Sequence, residues 1–84
     1  MSYRVLIDLA CLEILPKSGK RRDEVINFCN QLVDAIYEAS DFQITEPDSQ
    51  RRLEVSELEG FAITWWVDEP VKRIIVVDIL RYRC

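Results

Sequence analysis

Hydrophobic and polar residues alternate from the start of the chain. In "YRVLIDLA", Tyr3, Val5, Ile7 and Leu9 fall on one side of a period-two pattern, with Arg4, Leu6 and Asp8 on the other. This reads as a half-buried strand. In "CLEILPKSGK", Pro16, Ser18 and Gly19 interrupt any long element, so at most a helical turn is expected over residues 10–15. From residue 21 to about 39 the period changes. Val25, Cys29, Leu32 and Ile36 recur at spacings of four, three and four, with Ile26, Val33 and Tyr37 widening the stripe. That pattern predicts an amphipathic helix. Ser18 is placed to cap it, and Asp23 and Glu24 suit the positive end of its dipole.

The stretch "ASDFQITEPDSQ" is acidic, contains Pro47 and has no regular period, so it is read as a loop that Phe42 or Ile44 pins to the core. Three strands follow. Leu53 and Val55 alternate with Arg52 and Glu54; a turn at residues 57–60 leads into Phe61, Ile63, Trp65 and Val67; "DEP" then turns the chain into a strand over residues 72–80. That last strand, "RIIVVDIL", is apolar on both faces except at Asp78, the pattern of a central strand covered on both sides. The predicted order is β-α-β-β-β, an α+β arrangement ending in a meander.

Composition narrows the picture. With 84 residues, 49% hydrophobic and 31% charged, residues 1–84 are expected to form one globular domain. A core this small points to stabilisation by dimerisation or by a partner chain. Cys11, Cys29 and Cys84 are too far apart for a metal-binding pair and read as free thiols in a reducing cytosol, the first two within apolar patterns. No apolar run approaches the roughly 20 residues of a spanning helix, so a soluble, cytoplasmic protein is expected, with no membrane partner. The chain has no histidine, which removes Ser-His and Cys-His catalysis and the commonest zinc ligand. With only two glycines, no phosphate-cradling loop is built, and no cofactor or metal is implied.

Charge is unevenly placed. The net charge is −4, but residues 23–69 carry −10 and the flanking ends +6. If the first and last strands are neighbours, Lys17, Lys20, Arg21, Arg22, Arg81 and Arg83 form a basic patch suited to phosphate contacts. The same residues also fit an ordinary solvated surface. Asp68 and Glu69 read as turn residues, and Asp78 as a strand carboxylate paired with Arg4 or Arg81. Trp65 and Trp66 are consecutive on a strand and therefore face opposite ways. One belongs in the core; the other is an interface aromatic, secondary packing, or a platform for a base.

"YRVLIDLACLEIL", and still more "RRLEVSELEGFAITWWVDEPVKRIIVVDILRYR", resemble the RelE/ParE superfamily of bacterial toxins. The second segment is similar to that family's strand, turn, Gly-aromatic step, apolar strand closing on an aromatic and an acidic turn, valine-rich strand and terminal Arg and Tyr. The resemblance covers nearly the whole chain. It implies one or two N-terminal helices packed on a four-stranded, mostly antiparallel sheet. It further implies a toxin–antitoxin role with an antitoxin covering the sheet face and helix, and messenger RNA on the ribosome as target. Arg52, Arg81 and Arg83 would then contact phosphate while Tyr82 assists proton transfer. Two positions depart from the pattern: Glu54 stands where a second basic residue is common, and Ala62 where an Arg often follows the Gly-aromatic pair. Both changes remove charge stabilisation, the largest contribution in such chemistry. A non-catalytic homodimer built on Trp65 or Trp66, and a gyrase-directed inhibitor, are the alternatives on the same fold.

Overall fold

A computed structural model describes residues 3–35, 38, 40–58 and 60–81. The strands are β1 (Arg4–Ile7), β2 (Phe42–Thr45), β3 (Arg52–Leu58), β4 (Phe61–Asp68) and β5 (Arg73–Arg81), and the helices α1 (Leu9–Leu12) and α2 (Lys20–Gln31). One sheet runs in the order β1-β5-β4-β3-β2; β1 lies parallel to β5 and the other pairings are antiparallel.

The α+β class stands, with five strands instead of four. The added strand is β2, formed by the "FQIT" segment that reads as loop. It is a short edge strand with all four residues exposed, and it exists because β3 supplies a partner. Pairing of this kind leaves no signature in local periodicity. Neither Phe42 nor Ile44 pins the segment to the helix-covered core; they are 47% and 46% exposed.

The helices differ from expectation at their ends. Asp8 caps α1, its Oδ1 accepting from the Ala10 N–H at 3.0 Å. The cap of α2 is Gly19, not Ser18, at φ +106°, a conformation that only glycine adopts without strain. This helix stops at Gln31, short of residue 39. Beyond it the backbone bonds tighten to three-residue steps, from Leu32 to Cys29, Asp34 to Gln31 and Ala35 to Leu32, and Ile36 and Tyr37 lie outside the described residues.

Both helices cover a single face of the sheet. Val25, Cys29 and Leu32 from the α2 region meet Ile63, Trp65, Ile74 and Val76 in a core with almost no solvent exposure. Two corrections concern β5. It is central, but only one face is covered, since Val77 and Leu80 are exposed. Asp78 is also exposed and makes no ion pair with Arg4 or Arg81. The cause is a bulge between Thr64 and Trp65: Thr64 pairs with Asp78 while Trp65 pairs with Val76, so Val77 and Asp78 turn outward in succession.

Candidate functional site

Residues directly opposed on neighbouring strands share a face, so register decides which predicted site residues can cooperate. Glu54 pairs with Trp65 and therefore lies on the helix-covered face, where it is 2% exposed. A buried carboxylate requires partners, and it has two. Arg52 Nε donates to Glu54 Oε2 at 3.0 Å, and Gln43 Nε2 donates to Glu54 Oε1 at 3.0 Å. Trp65 is fully buried beside this cluster and donates from Nε1 to Ser56 Oγ at 3.3 Å. The guanidinium of Arg52 is thus already neutralised by a carboxylate on its own strand, and an incoming phosphate must compete with it.

Arg81 is elsewhere. It pairs with Phe61 at the far end of β5, whereas Arg52 stands level with Val67 and Ile74. At about 3.3 Å per residue the two levels are roughly 20 Å apart along the strands. Arg81 is exposed and makes no ion pair among the described residues. Tyr82 and Arg83 lie outside the described residues.

The basic residues around α2 are partly engaged. Arg22 Nη1 donates to the Pro16 carbonyl at 3.2 Å, and Lys20 lies 3.9 Å from Glu24. Lys17 and Arg21 are exposed. β1 and β5 are neighbours, which meets the condition set for the basic patch. The two buried thiols are chemically quiet. Burial raises the Cys11 thiol, helped by the charges of Asp8 and Asp78, and raises Cys29 to about 11, helped by Cys11; protonated thiols are poor nucleophiles.

The tryptophan pair divides as the alternation requires. Trp66 is half-buried on the face away from the helices, with the Arg51 guanidinium 4.1 Å from its ring centroid; Arg51 is also 3.8 Å from Glu46. Arg51 and Gln43 escape a reading by motif. Counting outward from the turn at Gly60 finds the first of them: the register that pairs Glu54 with Trp65 levels Arg51 with Asp68, two residues along from Trp66 on its face.

A helix-backed sheet with a parallel first strand and an antiparallel meander is an α+β arrangement. No protein-family model and no curated protein matches the chain. Solved structures do. The chain is similar to the RelBE2 toxin–antitoxin complex from Mycobacterium tuberculosis at TM-score 0.72 and 11% identity, over 99% of this chain and 100% of that one. It is similar to the archaeal RelE–RelB complex from Pyrococcus horikoshii at TM-score 0.70 and 21% identity, over 96% of each chain. A mutant of the E. coli toxin RelE in the free state matches at TM-score 0.69 and 16% identity, over 96% of this chain and 84% of that one. The protein has a RelE-like fold. Among the described residues, no helix is long and apolar enough to cross a membrane.

Proposed function

We propose that the chain acts as the toxin component of a toxin–antitoxin system, held by an antitoxin protein and directed in the cytoplasm at messenger RNA on the ribosome. The observation that carries this reading is the RelE-like fold over nearly the full length of both this chain and its structural neighbours. In this proposal Arg81 contacts phosphate with Arg83, Tyr82 assists proton transfer, Arg52 meets a separate phosphate roughly 20 Å away along the strands, and Lys17, Lys20, Arg21 and Arg22 hold the RNA backbone. Glu54 limits the chemistry, since it binds the Arg52 guanidinium that such a site needs.

That ion pair favours a second reading, an interaction protein that has kept the fold without nuclease activity. Induced expression in a bacterial host, with primer-extension mapping of transcripts, separates the two. Growth arrest with codon-positioned cuts that disappear in Arg81→Ala supports the nuclease. Normal growth with intact transcripts removes it in favour of the interaction protein.

A further inference from the structure

β1 forms one margin of the sheet, and the backbone geometry decides which of its groups stay unpaired. The Arg4 N–H donates to the Lys72 carbonyl at 3.0 Å, while Arg4 pairs with Arg73 and Leu6 with Ile75. In a parallel ladder every second residue bonds to the neighbouring strand. Arg4 and Leu6 therefore turn their N–H and C=O groups toward β5, and those of Val5 and Ile7 point outward, where no further strand lies among the described residues. Such an edge is a template for another strand unless charge or proline blocks it. Residues 5–7 are all apolar. Charges stand at the two ends, Arg4 before them and Asp8 after them, both exposed and neither in an ion pair among the described residues.

We infer that a second copy of the chain pairs with this edge, β1 against β1 in antiparallel register, about a two-fold axis normal to the sheet at Leu6. Val5 of each copy then exchanges both backbone bonds with Ile7 of the other, which satisfies the outward groups of both residues. Leu6 meets Leu6, and Arg4 of each copy meets Asp8 of the other; these are the non-bonded pairs, in which side chains come closest. Asp8 suits the role. Its backbone is still extended, at φ −63° and ψ 137°, and its Oδ1 caps α1 while Oδ2 is left for a cation. Arg4 lies beside a like charge, Arg73, and Asp68 pairs with Arg73 on its other side, so the incoming carboxylate answers the cation at the margin. Leu6, 44% exposed, and Leu9, 76% exposed and level with Tyr3 of the other copy, lose solvent contact.

Charge selects both the register and the edge. A shift of two residues either way sets a charged side chain opposite Leu6, Arg4 in one direction and Asp8 in the other. β2, the opposite margin, is flanked by Asp41 and Glu46, so its self-pairing brings carboxylates of the two copies toward each other. The β1 contact buries little surface and belongs among weak, reversible interfaces. It uses neither Trp65 nor Trp66, and it is independent of the nuclease proposal, because neither Arg52 nor Arg81 lies on β1.

The experiment is sedimentation velocity of the full chain over a wide concentration range, beside amide exchange on the isotope-labelled protein. A concentration-dependent dimer is expected, in which the Val5 and Ile7 amides become protected, whereas the Leu6 amide, bonded to β5, is protected at every concentration. Arg4→Asp alone and Asp8→Arg alone should each weaken association at least about tenfold. Mixed in equal amounts, the two variants should recover it as a heterodimer, since each Asp then meets an Arg. Asp8→Arg also removes the α1 cap. Leu6→Lys, which leaves the cap intact and sets like charges face to face, is therefore a second probe and should abolish the dimer; melting curves report the folding of each variant. A monomer at every concentration, a dimer that survives Arg4→Asp and Leu6→Lys, no recovery on mixing the folded variants, or protection on β2 in place of Val5 and Ile7 would overturn the inference.

Discussion

Trp65 and Trp66 are neighbours in sequence and strangers in environment. Trp65 faces the helices, is fully buried, and has its indole N–H satisfied by Ser56; Trp66 faces solvent and is covered by one arginine side chain. The two sides of the sheet differ in the same way. Nearly half the chain is hydrophobic, and the helices are long enough to cover one face only. The helix-covered face holds the main core, and the other buries Leu53 and Val55 while leaving Leu6, Ile44 and Leu80 exposed.

The contrast can be broken most strongly at its buried member. Trp65→Ala should cost about 3–5 kcal/mol in urea unfolding, and Trp66→Ala well under half of that; equal losses would mean that the open face is as closed as the other. A pH titration sharpens the contrast next. The Cys29 thiol is held protonated, from an ordinary 9.0 up to about 11, so the folded state binds more protons than the unfolded one in that window. The contribution is complete below pH 9 and should fall by about 2–3 kcal/mol as pH rises to about 11. Cys29→Ala should lose that component of the slope, read by denaturant melts of both proteins.

Glu54→Gln comes third. It weakens the charge-assisted bond to Arg52, and because Arg52 is well exposed and solvent-screened the loss should be about 1–2 kcal/mol. The same variant should bind a short RNA more tightly in filter binding, since the guanidinium no longer answers to a carboxylate. Smallest is Arg51→Ala on the open face, with an expected loss of about 0.5–1 kcal/mol and a change in Trp66 emission that a Trp65→Phe background isolates.

Local pattern was sufficient for β1, β3, β4, β5 and the start of the main helix, because each advertises its period within its own residues. It also divided the tryptophans correctly. β2 was illegible because its four residues become a strand only against β3, and the bulge was illegible because the extra residue on β5, Val77, shows only against β4, where Thr64 pairs with Asp78 and Trp65 with Val76. Candidate site residues were harder still. The family resemblance nominated Arg52 and Arg81 together, yet register separates them by the length of the sheet, and the buried partner of Arg52 proved to be Glu54, the residue that departs from the family pattern.

The parallel pairing of β1 with β5 also fixes when the molecule can come into being. Arg4 has to wait for Arg73, a delay of roughly 3–14 s at about 5–20 residues per second of synthesis. Until then the first strand has no neighbour in the sheet, and β4 lacks its partner on that side. Loop closure over so long a stretch also makes the step slow once the chain is complete. A nascent chain that stops before its final strand is therefore left with unpaired strand edges on β1 and β4, and translation itself decides whether a finished sheet appears.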